Sequence, residues 1–195
     1  MSGITSYEQF MPPPNYTLAE ELGFSVRVLG SYLGQLHLRK CLNKLHGLLY
    51  KVYQGTQDGP QLPTTGTAEL FNGWIDPHLP WTGSHFKFED TDAPAPDILT
   101  ARLRAKYWGA RVILSRAYIK TILDFNQQRR RRNLPPADAA CFLNEYQSPK
   151  SDPVAKDILE GARRGIIAHV QSTRAFHGLN VKRFIITNPW GTAHA

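Results

Sequence analysis

The chain has 195 residues, of which 42% are hydrophobic and 20% charged, and its formal net charge is +7. This length and composition predict one globular domain with a hydrophobic core and argue against wholesale disorder. No apolar run approaches the roughly 20 residues that a bilayer requires, and the first residues lack a basic start followed by an apolar stretch. We therefore expect neither a membrane span nor a secretory signal.

The first predicted elements cover residues 1–53. Consecutive prolines predict an extended lead-in over residues 1–16. A helical pattern follows over 17–53, with Thr17 as its expected N-cap and Glu20 completing a capping box. Glycines interrupt this pattern, so two helices and one kinked helix both remain open. Its expected apolar face consists of Leu22, Val26, Leu29, Leu33, Leu36, Leu42, Leu45 and Leu49.

The next stretch is expected to be mostly irregular. Residues 54–68 are rich in Gly, Thr, Gln and Pro and predict a loop. A short helix is expected over 68–74, and the proline-rich residues 76–96 should form an irregular surface segment with aromatic anchors.

A long amphipathic helix is predicted over residues 97–126, because apolar residues recur there at nearly helical steps. No cluster of acids, bases or nucleophiles accompanies it, which favours a packing and partner module over an enzyme. Its expected buried face is Leu99, Leu103, Tyr107, Ala110, Leu114, Ala117 and Ile122. The basic residues expected on its other sides are Arg102, Arg104, Lys106, Arg111, Arg116 and Lys120.

Four consecutive arginines follow that helix: Arg129, Arg130, Arg131 and Arg132. Such a run serves as a nuclear import signal or a phosphate-binding patch in some proteins. The alternative, which we favour, is a solvated loop tip kept mobile by its own charge repulsion until a polyanion or acidic partner neutralises it.

The last predicted helix covers residues 154–177. Residues 181–187 fit either a strand or a short buried helix. The expected apolar side of the last helix is Ile158, Ala162, Ile166, Ile167, Val170 and Ala175. These elements together predict an all-α, irregular helical domain with long proline-rich loops.

Candidate reactive residues are few. Cys41 and Cys141 are the two cysteines, too few for a disulfide framework or for zinc without histidine ligands, so we favour a reducing compartment. Lys40 and Lys44 would lower the pKa of Cys41, as a redox sensor needs, but we favour a buried structural thiol. No histidine is expected to pair with a cysteine, and we predict no metal site, no catalytic residue and no cofactor in this chain.

The aromatic residues Tyr107, Trp108, Trp81 and Trp190 suit either a small-ligand pocket or a plain core, and we favour the core. Neither a Gly-x-Ser-x-Gly nucleophile motif nor a Gly-x-x-x-x-Gly-Lys phosphate loop occurs.

Four blocks of the sequence, in this order and spacing, resemble the fungal-specific transcription factor domain. That domain is the middle homology region of fungal zinc binuclear-cluster regulators. The family often has Arg-Pro where this chain has Arg116-Ala117. The blocks are Ser31-Tyr32-Leu33 with Arg39-Lys40-Cys41-Leu42-Asn43-Lys44-Leu45-His46 and Leu49-Tyr50; Asp97-Ile98-Leu99 with Arg102-Leu103-Arg104-Ala105-Lys106-Tyr107-Trp108-Gly109-Ala110-Arg111 and Ser115-Arg116; Ser172-Thr173-Arg174-Ala175-Phe176-His177-Gly178; and Ile186-Thr187-Asn188-Pro189-Trp190-Gly191-Thr192-Ala193-His194.

The resemblance spans residues 17–195 and implies a partial regulatory domain, incomplete at its C-terminus, of a nuclear regulator of RNA polymerase II transcription. It implies partners among the other domains of the regulator or among co-regulators. The family's zinc is bound by six cysteines in a DNA-reading module, which the two cysteines here cannot form. A ligand-binding or enzymatic helical domain and a non-functional truncated product are the alternative interpretations.

Overall fold

A computed structural model describes residues 15–50, 65–75, 88–89, 91, 93–147 and 154–179. Within these ranges the chain forms six α-helices and no strand, so the predicted all-α class is confirmed. The predictions for residues 1–14, 54–64, 76–87 and 181–187 lie outside the described residues. The helices are α1 (Tyr16–Glu21), α2 (Val26–Tyr50), α3 (Thr65–Ile75), α4 (Ile98–Arg131), α5 (Ala139–Glu145) and α6 (Ala155–Arg174).

The first predicted helix is in fact two helices, α1 and α2. Asn15, not Thr17, is the N-cap of α1, because the Asn15 side chain accepts a hydrogen bond of 3.2 Å from the backbone N–H of Leu18. Gly23 has a φ of +74°, a backbone conformation that glycine adopts at little cost, and the chain turns there. Ser25 then accepts a hydrogen bond from the first turn of α2.

The buried face of α2 differs from the predicted one. Leu22 and Val26 are 65% and 76% exposed, because they lie at the α1–α2 turn, away from the packed part of α2. Leu38 and Cys41, which the predicted face omitted, are buried. The buried apolar residues of α2 are Leu33, Leu38, Cys41, Leu45 and Leu49.

Helix α4 is the central element and continues beyond the predicted end at residue 126 to Arg131. Asp97 caps its N-terminus: one side-chain oxygen accepts from the backbone N–H of Leu99 at 2.9 Å and of Thr100 at 3.2 Å. The predicted face is buried at most positions, but neighbouring helices cover α4 on further sides as well. Its additional buried residues are Ala101, Arg104, Ala105, Trp108, Gly109, Val112, Ser115 and Tyr118.

Side-chain contacts show in which direction the helices that flank α4 run. Arg27 pairs with Asp97, and further along both helices Lys106 Nζ donates to Gln35 Oε1 at 3.0 Å, so α2 and α4 run in the same direction. Helix α6 makes the most extensive contact with α4 and runs antiparallel to it, since residue 172 lies beside residue 105 and residue 165 beside residue 115.

Two glycines of α6, Gly161 and Gly165, lie at its contact with α4. A Cβ atom placed on Gly165 would lie 2.5 Å from Ser115 Cβ, and one on Gly161 would lie 2.5 Å from the Tyr118 ring. Both distances are far below van der Waals contact. The two glycines therefore allow α6 to approach α4 more closely than any other residue type would.

This close approach explains an error in the predicted face of α6. Ile158, Ala162 and Ala175 are buried as expected, but Ile166 is 60% and Val170 48% exposed. Because the glycine side of the helix faces α4, these two large apolar residues point away from it. Gly165, Ala168 and Gln171 are buried in their place.

Two groups of buried side chains hold the helices together. The larger one joins α2, α3 and α4, together with Ala168 of α6, and includes Leu38, Leu45, Phe71 and Tyr107. The smaller one joins the second half of α4 to α5 and α6 through Tyr118, Phe142, Ile158 and Ala162, with Phe125 and Tyr146 packed against it. The ring centroid of Phe142 lies 5.1 Å from that of Phe125 and 4.8 Å from that of Tyr146.

None of the helices in the described ranges combines the length and the apolar character that crossing a bilayer requires.

Candidate functional site

The four-arginine run ends α4, so the loop that we expected at these residues is wrong. Arg132 is the C-cap, and Asn133 follows with a left-handed φ of 57°. The N–H of Asn133 donates to the carbonyl of Arg130 at 3.0 Å, and that of Leu134 donates to the carbonyl of Arg129 at 3.0 Å. This is the Schellman arrangement, and cations are favourable at a helix C-terminus because the last carbonyls carry partial negative charge.

The four arginines do not share one environment. Arg129 is partly covered and forms an ion pair with Glu145, whose hydrogen bond raises the pKa of the Arg129 guanidinium further above its already high value. Arg130, Arg131 and Arg132 are exposed. The polyanion contact predicted for four arginines therefore reduces to three exposed ones, because Arg129 already has an acidic partner.

Cys41 has a histidine neighbour that sequence analysis missed. His37 lies one helical turn earlier, and its Nε2 is 3.3 Å from Cys41 Sγ. His37 Nε2 donates to the backbone carbonyl of Trp74 at 2.7 Å, and Cys41 Sγ donates to the same oxygen at 3.3 Å. Trp74 is in the last turn of α3, where carbonyls have no partner within the helix, so the two side chains cap α3.

The same geometry argues against a reactive Cys–His pair. Since Nε2 must carry a proton to donate to the Trp74 carbonyl, it cannot accept the proton of the Cys41 thiol. Burial raises the pKa of Cys41 to about 11, and this outweighs the lowering effect of Lys44. Cys41 is thus a buried structural thiol and lacks the low pKa of a redox sensor.

Cys141 is no more reactive. Its Sγ donates a hydrogen bond of 3.1 Å to Glu145 Oε1, and this bond raises the pKa of the Cys141 thiol. A nearby carboxylate disfavours the thiolate that nucleophilic or redox chemistry would need.

Three of the cations predicted on the outer sides of α4 are partly or fully buried: Arg104, Lys106 and Arg111. Arg104 is 4% exposed and donates to the carbonyl of Ala93 at 2.7 Å and to Gln171 Oε1 at 3.2 Å. Lys106 is half-buried and donates to Gln35, and burial lowers the pKa of its ammonium group. Arg104 and Lys106 were expected on exposed sides of α4 because the sequence predicts one buried apolar face. Helices α2 and α6 cover further sides of α4, and these two residues lie there.

A cleft of about 580 Å³ opens between α3, α4 and α6. Small-molecule sites in proteins commonly have volumes of about 300–1,000 Å³, so the cleft has a suitable size. Its walls combine aromatic, acidic and basic side chains. They are Ala68, Glu69 and Asn72 of α3; Tyr107, Trp108, Arg111, Leu114, Ser115 and Tyr118 of α4; Asp157, Glu160, Gly161, Arg163, Arg164 and Ile167 of α6; and Phe88 and Glu89.

The guanidinium of Arg111 occupies a fixed position on the α4 wall of this cleft. Its carbon atom lies 4.9 Å from the centroid of the Tyr107 ring and 5.9 Å from that of Trp108. One terminal nitrogen donates to the Tyr107 hydroxyl at 2.8 Å and the other to Asn72 Oδ1 at 3.2 Å. Stacking and hydrogen bonds together hold a positive charge at the cleft without requiring the side chain to reorder.

Charges of the opposite sign lie on the two flanking walls. Glu160 accepts hydrogen bonds from both Arg163 and Arg164, and these bonds lower its pKa to about 2. Glu69 on α3 and Asp157 on α6 form no hydrogen bond or ion pair with any other described residue. The cleft therefore has carboxylates on both flanking walls and the guanidinium of Arg111 on the wall between them.

Of the four aromatic residues proposed for a ligand pocket, Tyr107 and Trp108 contribute to the cleft as well as to the core. Trp81 and Trp190 lie outside the described residues. The remaining polar residues of the cleft were missed, because they come from three helices far apart in the sequence and form no local motif. Within the described ranges no group of three His, Cys, Asp or Glu side chains is arranged to hold a metal ion.

Comparisons of the chain with models of known protein families, with curated proteins and with solved structures give no match. Its function is therefore argued from its residues and their geometry.

Proposed function

We propose that this chain is a regulatory module of a fungal transcription regulator, a nuclear protein that acts on RNA polymerase II transcription. The module does not read DNA or catalyse a reaction. It works by packing against other domains of the regulator or against co-regulator proteins, and any zinc belongs to a separate DNA-reading module of the family.

The observation that carries this proposal is where the resembling blocks lie. The first block is on α2 and the second on α4, and these helices contact each other through Gln35 and Lys106. The third block ends α6, where Ser172 Oγ donates to the carbonyl of Ala105 at 3.3 Å. Three segments that resemble one family thus meet on one helix. The fourth block, 186–194, lies outside the described residues.

The geometry of the candidate reactive groups supports a role in packing. Cys41 and His37 both donate to one carbonyl, and Cys141 donates to a carboxylate. None of these arrangements activates a nucleophile, since each leaves the thiol protonated.

A tethering assay tests the proposal. The chain is fused to a DNA-binding domain whose operator sequence is known and is placed upstream of a reporter gene. Reporter transcription in fungal cells is then compared with that given by the DNA-binding domain alone. We expect the fusion to change reporter output by several fold, and a fusion carrying Leu114→Asp, which should not fold, to lose the change. Equal output from both fusions and the DNA-binding domain, at equal protein levels, would contradict the proposal.

Nuclear localisation is tested separately through the exposed arginines. We propose that Arg130, Arg131 and Arg132 contact the import machinery or another polyanion. Replacing all three by glutamine should lower nuclear accumulation of a fluorescent fusion. The matched control replaces three exposed cations elsewhere, Lys40, Arg102 and Lys156, by glutamine. Equal nuclear accumulation in both triple variants and in the wild type would reject the role of the arginine run.

A further inference from the structure

We propose that the surface around the turn between α1 and α2 binds a basic amphipathic helix of a partner protein. This inference deepens the proposed function and rests on it, because it names the chemistry of a packing partner. It is tested with the purified chain and peptides, so it can fail while the tethered chain still changes reporter output.

Large apolar side chains are concentrated at this turn. Five of them, between positions 18 and 28, are 40–76% exposed. Single exposed apolar residues are ordinary on a protein surface, but a cluster of them with a polar rim is typical of an interaction site. We call this cluster the α1–α2 patch, and it consists of Leu18, Leu22, Phe24, Val26 and Val28.

The backbone of the α1–α2 patch is held in place before any partner arrives. The N–H groups of Gly23 and Phe24 each donate to a carbonyl in the last turn of α1, both at 2.9 Å, in the Schellman arrangement. Arg27, in the first turn of α2, pairs with Asp97 at the start of α4. A preformed surface loses less conformational entropy when a partner binds to it.

The exposed charges of the α1–α2 patch are negative. Glu20 and Glu21 of α1 are exposed, and neither carboxylate forms an ion pair with another described residue. The cation of the patch, Arg27, is already paired with Asp97. The patch is therefore acidic, although the whole chain has a net charge of +7. A helix with lysine or arginine beside an apolar stripe complements both properties, because its stripe covers the apolar side chains and its cations meet the carboxylates.

The two carboxylates disfavour other occupants of the patch. In a symmetric dimer each copy presents the same surface, so Glu20 and Glu21 of the two copies would approach one another. An acidic helix and an anionic lipid surface would likewise bring negative charges against the patch. A basic helix is the occupant for which the apolar and the charged residues both favour binding.

Fluorescence anisotropy of labelled peptides, titrated with the full chain, tests the proposal. The probe is a peptide of about 14 residues in which leucines recur at i, i+3, i+4 and i+7 and every other position is lysine. One control peptide has glutamate in place of each lysine. The other has the composition of the probe, with its leucines rearranged so that they form no stripe. We expect the probe to bind at least about tenfold more tightly than either control. Because the whole chain is positive, a non-specific electrostatic contact would instead favour the glutamate peptide.

Variants of the apolar residues locate the binding. Leu22 and Val26 are the most exposed residues of the patch. The double variant Leu22→Gln, Val26→Gln should weaken binding by at least about tenfold, because it removes apolar area that leaves water in the complex. The matched control Leu123→Gln, Ile166→Gln replaces two similarly exposed apolar residues of α4 and α6 and should bind like the wild type. Both double variants change exposed side chains alone, so both should keep the wild-type melting curve.

Variants of the carboxylates test the charge. Glu20→Gln, Glu21→Gln should weaken binding by about threefold to tenfold and make it less sensitive to salt, because surface ion pairs are weak and are screened by salt. The matched control Glu69→Gln, Asp157→Asn removes two carboxylates from the cleft, and it should leave the affinity and its salt dependence unchanged.

Three results would overturn the proposal. The first is that the lysine probe binds no more tightly than its two control peptides. The second is that Leu22→Gln, Val26→Gln binds the probe as tightly as the matched control on α4 and α6. The third is that the patch has another occupant, shown by a dimer in sedimentation, or by binding to phosphatidylserine vesicles, that Leu22→Gln, Val26→Gln abolishes.

Discussion

Helix α4 is packed in two different ways along its two principal contacts. Against α2 and α3 it is held by large side chains, such as Leu38, Phe71 and Tyr107, that fill the space between the helices. Against α6 it also buries apolar side chains such as Tyr118 and Ile158, but there Gly161 and Gly165 let the two helices approach closely. The contact with α2 and α3 depends on the volume of the buried side chains, and the contact with α6 depends on the small size of the two glycines.

This difference shows where hydrophobic periodicity succeeds and where it fails. Periodicity identifies faces made of large apolar residues, and it therefore identified much of the buried side of α4. It fails for α6, where Ile166 and Val170 carry the apolar signal but are exposed. Where backbones approach closely, the buried side is the one with the smallest residues, and a hydrophobic pattern assigns those residues little weight.

The largest effect on the free energy of unfolding is expected where large side chains of α4 are buried. Leu114 is 7% exposed, so Leu114→Asp would bury an unpaired charge and should cost about 3 kcal/mol or more, enough to unfold the domain. Leu123 on the same helix is 63% exposed, and Leu123→Asp should change the free energy of unfolding by less than about 0.5 kcal/mol. Thermal unfolding followed by circular dichroism measures both, and equal melting curves would show that our assignment of the α4 face is wrong.

A smaller effect is expected where α4 begins, at its N-cap. Asp97→Ala removes the acceptor for the N–H groups of Leu99 and Thr100 and should lower the free energy of unfolding by about 1 kcal/mol. Asp124→Ala removes a carboxylate from the same helix that takes part in a surface pair with Lys120. Such pairs contribute about 0–1 kcal/mol, so this control should lose less than Asp97→Ala in chemical denaturation.

The contribution of Asp97 should also depend on pH. Burial by itself would raise the pKa of Asp97, but hydrogen bonds from Thr100, Arg27 and Leu99 outweigh it, so the pKa lies below its ordinary value. The unfolded chain therefore takes up a proton at higher pH than the folded one. The stability advantage over Asp97→Ala should be complete above an unfolded-state pKa of about 3.9 and decline as the pH falls through the folded pKa.

Denaturant midpoints of the two proteins, compared from pH 6 downward, measure this dependence. An advantage that grows with acidity would contradict the assignment of Asp97 as an ionised cap.

The smallest effect is expected on the outer side of α6. Ile166 is 60% exposed, so Ile166→Asp should change the free energy of unfolding by less than about 0.5 kcal/mol. Ile158 on the same helix is fully buried, and Ile158→Asp should unfold the chain. A large loss of stability from Ile166→Asp would mean that α6 faces α4 with its apolar residues after all.

The fold class, the central helix and the last helix were predictable because each carries a regular pattern over many residues. The break at Gly23 was one of two open alternatives, and only the positive φ decides between them. The end of α4 was not predictable from the pattern, because a run of arginines has no apolar periodicity that would indicate a helix. The helix ends at Arg131, and the left-handed turn at Asn133 follows it.

Almost none of the cleft was predictable. Tyr107 and Trp108 were noted as aromatic residues suited to a pocket, but Arg111 was interpreted as one of several surface cations. Glu69 and Asp157 lie on α3 and α6, and their distance in the sequence gives no sign that they flank the same opening. Such a site arises from tertiary packing, which a single sequence does not display.

The most direct test of the close packing of α6 on α4 is the sign of the change in the free energy of unfolding that two glycine-to-alanine substitutions cause. Gly30 lies within α2 with open space around it, so Gly30→Ala should raise the free energy of unfolding by up to about 1 kcal/mol, as alanine does in helices. Gly165→Ala should instead lower it by about 1–3 kcal/mol, because its Cβ would collide with Ser115. Opposite signs in urea denaturation would support the close packing of α4 on α6, whereas a stabilising Gly165→Ala would contradict it.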